Sequence, residues 1–280
     1  MDAKLRKLQL CQLEILKVID EFCQKEGIKY SLYAGTLLGA VRHHGFIPWD
    51  DDLDICMERA EFNRFLDAWK ERGPAGYLLQ NKDNTPRFPQ SFTKIRKEHT
   101  TFLQNEREAT AYHTGIFVDV FPIDRMPSNR IKRSIFEYDC MRYQLYCREF
   151  VPPKGNAVQK AVSFCLLTMC SPVKRARKRA SLLKRITKGN KRKGNTVAIE
   201  TLNTILTPLP ENLFDGYTRL PFEDGEYMCF SNWDGYLRAK FGDYMTLPPE
   251  SERTWKHHPI ILDFEHDYEE LQQINTDRLP

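Results

Sequence analysis

Residues 33–57 read YAGTLLGAVRHHGFIPWDDDLDICM, and the reading of this stretch decides the fold. Gly35 and Thr36 lead into the apolar, glycine-tolerant run Leu37–Val41, and a helix starting there would aim free backbone N–H groups at an anion. The chain then breaks at Pro48-Trp49 and sets four carboxylates, Asp50, Asp51, Asp52 and Asp54, into five residues. Leu53 and Ile55 are interleaved with them, which predicts a strand on which Asp52 and Asp54 share one face while Asp51 points to the other. Two carboxylates side by side repel, and one keeps its proton unless a cation lies between them. Hard oxygen ligands at this density suit Mg2+ or Mn2+ better than zinc. Together the Gly-Thr turn and the acidic strand predict a metal and phosphate site.

Other readings of the acidic run remain open. Counted from Asp50 as an EF-hand, acids fall at positions 1, 3, 5, 9 and 12, but Ile55 stands where the sharp turn wants glycine. A solvated acidic turn after Pro48-Trp49 is a second reading. The Asp-x-Asp of nucleotide-sugar glycosyltransferases is a third; it shares the metal logic without needing the upstream Gly-Thr turn.

A further carboxylate lies in the apolar run Ile116–Phe121, where Asp119 is the lone charge. A lone buried Asp costs several kcal/mol unless it meets a cation or donors, so Asp119 is read as a third metal ligand, with a satisfied core carboxylate as the alternative. Asp124, after Pro122, is expected to order a turn. Lys94 and Arg96 flank Ile95 on a predicted strand over 92–96 and share a face; they could neutralise donor phosphates or be ordinary solvated charges.

The run GTLLGAVRHHGFIPWDDDLDI, followed by GIFVDVFPID and, near the end, FGDYMTLPP, resembles the LicD family. The resemblance covers most of residues 28–125 and about 222–258. It implies an α/β fold of mixed α+β kind, a polymerase β-type nucleotidyltransferase-like sheet with helical additions. It also implies metal-dependent transfer of a phospho-alcohol group, most typically phosphocholine, from a CDP-linked donor such as CDP-choline to a sugar hydroxyl of a cell-surface glycan or lipid-linked saccharide. On that reading Asp52, Asp54 and Asp119 hold Mg2+ (or Mn2+) and carry the catalysis, while Gly35, Thr36, Arg42, Lys94 and Arg96 bind the donor. A nucleotide-sugar-dependent glycosyltransferase and a non-catalytic binding protein are the alternatives.

At 280 residues and 41% hydrophobic content the chain is long enough for one large domain or a domain with a helical appendage. The expected organisation is a catalytic core over 1–127, a helical, basic insertion over 128–206, and a C-terminal part over 207–280 that completes the catalytic domain. The net charge of +4 conceals an asymmetry: residues 174–193 hold eleven Lys/Arg and no acid, which leaves 31 basic against 38 acidic residues elsewhere, a balance of −7. This basic run follows the apolar AVSFCLLTMC, a combination that fits an interfacial segment on anionic lipid. Nucleic acid is not expected as the partner, because the run lacks aromatics to stack on bases. A solvated helical face is the other reading.

The eight cysteines form no C-x-x-C pair and read as reduced thiols used as small hydrophobes. No apolar h-region opens the sequence, and the tract 161–173 is too short to span a bilayer. A cytoplasmic protein, peripheral at the inner face of the membrane, is expected. Residues 4–26 carry apolar side chains at helical spacing and predict a packing helix ending at Gly27. Aromatics at 227, 230, 233, 236, 241, 244 and 255 read mostly as core, with a cage over a quaternary ammonium open to a few of them. His257 and His258 have no ligand-spaced neighbours in sequence.

Overall fold

The computed structural model describes residues 2–105, 108, 111–153, 155–190, 194–199 and 202–277. The chain folds into two compact units, the first made of residues 1–80, 93–121 and 212–280, the second of 81–92 and 122–211.

The first unit begins with α1 (Ala3–Glu26), capped by the Asp2 side chain and closed by Gly27, whose φ of 63° supplies the left-handed stop. Its apolar stripe meets α3 (Arg59–Arg72) in an aromatic cluster, with Phe22 centred 4.7 Å from Trp69 and 6.0 Å from Phe65. Between these helices lie β1 (Ser31–Leu32), α2 (Ala34–His43) and β2 (Asp54–Glu58). The sheet continues through β3 (Tyr77–Gln80), β4 (Thr93–Lys97) and β6 (Phe117–Arg125) in the order β1-β2-β6-β4-β3, while β5 (Thr101–Leu103) pairs separately with β10 (Ile261–Asp263). A mixed α/β fold is what the sequence predicts and what the chain adopts.

A hairpin of β8 (Tyr217–Phe222) and β9 (Gly225–Phe230) precedes α8 (Trp233–Phe241), which packs on α2. Gly39 makes the tight path out of α2 possible: a Cβ there would lie 2.5 Å from the Gly45 carbonyl oxygen. The loop that carries the acids is thus folded back against the helix that precedes it. A final helix, α9 (Tyr268–Asp277), closes the unit.

The second unit contains α4 (Arg130–Arg148), α5 (Ala157–Thr168), α6 (Pro172–Thr187), β7 (Thr196–Ala198) and the short α7 (Leu202–Leu206). Phe136, Tyr146, Leu182, Ile186, Val197 and Ile205 are among its core residues. The span 128–206 is therefore not helical throughout. β7 interrupts it and pairs with Ile123–Arg125 of β6.

Pro122 does not end its strand. It falls between Val120, the last residue of β6 paired with β4, and Ile123, the first paired with β7, where its missing N–H interrupts neither register. Asp124 accordingly sits buried in the strand rather than in a turn, accepting a hydrogen bond from Asn190 Nδ2 at 2.7 Å.

Candidate active site

The strand expected to carry Asp52 and Asp54 on one face begins only at Asp54. Asp50 to Leu53 approach it as an irregular segment. The alternation argument fails there because two backbone contacts fix the segment first: the Asp50 N–H donates to the Ile47 carbonyl, and the Leu53 carbonyl accepts from Asp119 N. Oxygens of Asp50, Asp51 and Asp52 converge within 4.8 Å of one another.

Asp50 is buried, and its carboxylate lies over the first turn of α2, so close that a Cβ on Gly35 would come within 2.7 Å of its Oδ2. Gly35 thus makes room for a side chain of the same chain. Burial pushes the Asp50 carboxyl up to about 7, the charge of Asp52 adds to the rise, and Lys256, 3.7 Å away, opposes it. A folded-state pKa above the ordinary carboxylate value means that stability present at low pH is lost as pH rises through about 7. The metal-free protein is therefore expected to lose stability, on the order of 2–4 kcal/mol, between pH 4 and 8. Thermal melts of Asp50→Asn should show a clearly shallower slope, the remainder coming from Asp119 and His257, which are also raised; an equal slope in the variant would exclude Asp50 as a source.

Asp51 is fully buried and, instead of facing away from Asp52, brings an oxygen to the same cluster. It accepts from the His257 N–H at 2.8 Å and the Lys256 N–H at 3.4 Å, and it contacts His257 Nδ1 at 3.2 Å. Burial alone would raise the Asp51 pKa, but His257's ring and backbone donors bring it below the usual range. The hydrogen bond to Asp51 raises His257, whose Nδ1 is also 3.8 Å from Asp52 Oδ2. His257 therefore has carboxylate neighbours after all, supplied across more than two hundred residues of sequence.

Asp54 heads β2, and its N–H donates to Thr36 Oγ1 at 2.8 Å. The Thr36 hydroxyl is buried and holds the acidic segment to α2. On the neighbouring β6, Asp119 stands directly opposite Lys94 of β4, with Lys94 Nζ 2.6 Å from its Oδ1 and 3.2 Å from the centre of the Phe117 ring. Burial drives Asp119 up and Lys94 down, and each is the other's largest compensation; the charge of Asp52 raises Asp119 further.

Arg96 is buried, donating to Gln80 Oε1 and to the Gly115 carbonyl. Burial lowers it to about 10. Arg42 donates to the Tyr244 carbonyl at 2.8 Å; burial and the neighbouring Arg253 lower it, while the charge of Asp50 opposes. Lys256 is lowered by burial but raised overall by Asp50, Asp52, Asp51 and Asp54. This exposed cation gives no sequence signal, since its carboxylates lie two hundred residues upstream.

Two uncharged residues of α1 complete the arrangement. Gln9 Nε2 donates to the carbonyls of Ile47 and Asp50, and Gln12 Nε2 donates to that of Asp51. Both side chains are buried, and polar residues on the buried face were their only mark in the sequence.

Of the C-terminal aromatics, Tyr227, Phe230, Tyr236 and Tyr244 are core. The Lys240 ammonium lies 4.4 Å from the ring centre of Tyr33 and about as far as cation–π contact reaches from Tyr236 and Phe241, at 6.0 and 5.9 Å.

A LicD/FKTN/FKRP nucleotidyltransferase-domain model matches residues 27–159. Residues 27–159 form a LicD-family domain. Over 269 residues the chain is 28% identical to the lipopolysaccharide cholinephosphotransferase LicD of Haemophilus influenzae, covering 90% of this chain and 96% of that protein. Shorter matches join it to uncharacterised proteins of Rickettsia typhi, 43% identical over 70 residues, and Rickettsia prowazekii, 53% identical over 49. These span 24% and 18% of this chain, and 23% and 18% of the relatives. The LicD domain takes in Gly35, Thr36 and every acid of the site, while Lys256, His257 and α1 lie outside it.

Proposed function

We propose that this chain is a LicD-type phosphotransferase that moves phosphocholine from CDP-choline to a sugar hydroxyl of a lipopolysaccharide or related cell-surface glycan. One observation carries the reading: carboxylates of a LicD domain converge beside the buried Lys94–Asp119 pair. The nearly full-length similarity to a lipopolysaccharide cholinephosphotransferase supports the choice of substrate class.

The donor set fits a hard divalent cation. Its atoms are all carboxylate oxygens, and burial with the charge of Asp52 pushes the Asp50 carboxyl up to about 7, so added positive charge there would be stabilising. Asp50, Asp52 and Asp54, with Asp119 alongside, are the residues that would hold Mg2+ or Mn2+. Such an ion supplies charge neutralisation on the diphosphate and acidifies an oxygen bound to it. The chain's own groups do the rest. Asp119, its affinity for a proton raised by burial, accepts the proton of the attacking hydroxyl. That oxygen forms a bond to the phosphorus bearing choline as the bond to the bridging oxygen breaks, and CMP departs with the bridging oxygen. Lys256 and Lys94 offset the negative charge that accumulates on the departing group. Asp51 and His257 hold the 256–257 segment over the acids.

Incubation with Mg2+ and a panel of CDP-alcohols and nucleotide sugars tests this directly. Acceptor-dependent release of CMP from CDP-choline is expected. Release of a nucleoside diphosphate from a nucleotide sugar would instead establish the glycosyltransferase.

The acceptor's lipid part suggests where the reaction takes place. α5 buries only Leu167 and exposes Val158, Val162 and Phe164, and the corner into α6 exposes Met169 at 82% and Val173 at 63%. α6 adds Lys174, Arg177, Lys184 and Lys188 at spacings that share a face. Arg175, Lys178 and Arg179 of the same run are engaged with Leu167 and Cys170 carbonyls, the Cys170 thiol and Asp83. Residues 191–193 of the basic stretch lie outside the described residues. No helix among the described residues is long and apolar enough to cross a bilayer, and peripheral attachment to anionic lipid is the arrangement proposed. Replacing Lys174, Arg177, Lys184 and Lys188 with Gln should weaken binding to anionic vesicles by up to a thousandfold, at about 1 kcal/mol per cation. Turnover of a soluble acceptor should be unaffected. Undiminished vesicle binding would remove this contact.

A further inference from the structure

The turn between β4 and β5 meets the start of α9 in a cluster of titratable side chains that the transferase chemistry does not use. His99 Nδ1 lies 3.5 Å from Asp267 Oδ2 and 3.5 Å from Glu270 Oε1. Ligand atoms of the three residues all fall within 4.8 Å of one another. Separations of 3.5 Å exceed the N–H···O hydrogen-bond range of about 2.7–3.2 Å. They come close to the edge of a tetrahedron built on metal–ligand bonds of about 2.0–2.1 Å, which is roughly 3.3–3.4 Å.

The other oxygen of each carboxylate is already secured. His113 Nε2 is 2.8 Å from Asp267 Oδ1, and the Asp267 N–H donates to Glu270 Oε2 at 2.9 Å. His113 Nδ1 accepts from the Gly115 N–H at 3.1 Å, which leaves the imidazole proton on Nε2 and makes His113 the donor to Asp267. Each carboxylate thus has one oxygen tied back and one near the same exposed imidazole.

We propose that His99, Asp267 and Glu270 form a site for a divalent transition ion of the zinc class, with His113 positioning Asp267 from behind. One imidazole with two carboxylates selects such an ion over Mg2+, in contrast to the all-oxygen acidic loop. A hydrogen bond that orients a ligating carboxylate is the usual companion of a metal ligand. The side chain of His99 is 70% exposed, which leaves the remaining coordination position to water. The ion clasps the first turn of α9 to the β4–β5 turn.

The test is a Co2+ titration of the untagged, metal-stripped protein in excess Mg2+, followed by visible absorption. One equivalent of low-symmetry Co2+ is expected in the wild type and none in Glu270→Gln, whose amide still caps α9. His99→Asn should lose the band as well, since Asn tolerates the left-handed backbone at that position, where φ is 55°. His113→Gln should weaken affinity about 10- to 100-fold. Asp52→Asn should bind Co2+ as the wild type does, so loss of the catalytic reading and loss of this site are distinguishable. A wild type without the band, or an unchanged titration in Glu270→Gln, overturns the proposal.

Discussion

Asp52→Asn is expected to lower turnover by about a thousandfold while the melting temperature of the metal-free protein stays the same or rises. Asp52 is the acid that the others share: its charge raises both Asp50 and Asp119, and His257 approaches it. Losing several kcal/mol of charge stabilisation corresponds to a rate loss of that order. Removing the same charge relieves repulsion when no cation is present. Asp54→Asn should act in the same direction. Asp51→Asn differs in kind, because Asp51 is engaged with His257 and the Lys256 backbone and its loss should appear as about 2 kcal/mol of stability. Steady-state CMP release and thermal melts, each with and without Mg2+, separate the cases. An Asp52→Asn protein with most of its activity would refute the acidic loop as the metal site.

Lys94→Met should destabilise the fold by about 3–5 kcal/mol, the usual cost of stranding a buried charge. Lys94 and Asp119 face each other across the β4–β6 register, both buried, with the ammonium against Phe117. Removing the cation leaves Asp119 inside the otherwise apolar stretch 116–121. Adding Asp119→Asn should return most of the stability without restoring turnover, since the proton acceptor is then gone. Urea denaturation of the two variants measures this. Equal midpoints for Lys94→Met and wild type would show that Asp119 has another partner strong enough to hold it.

The elements most legible in the sequence were those decided by local chemistry. α1 ends at Gly27 because only a left-handed residue closes it, and β4 occupies 93–97, within a residue of the strand predicted over 92–96. The acids themselves were legible as a group. Their geometry was not, because alternation predicts faces only where a strand exists, and the ladder starts at Asp54. β6 outran its expected end since Pro122 falls where the strand changes partners. Lys256 and His257 reach the site by long-range closure, for which no sequence spacing gives a sign. Thr36 was expected to bind the donor; what its hydroxyl does in the fold is accept from the Asp54 N–H.

The tethers from α1 bear on what counts as the working unit of this protein. The family model's match begins at residue 27, after α1 has ended, yet Gln9 and Gln12 hold three carbonyls of the loop that bears Asp50 and Asp51. A fragment trimmed to start at residue 27 would keep every acid and lose the hands that hold them in place.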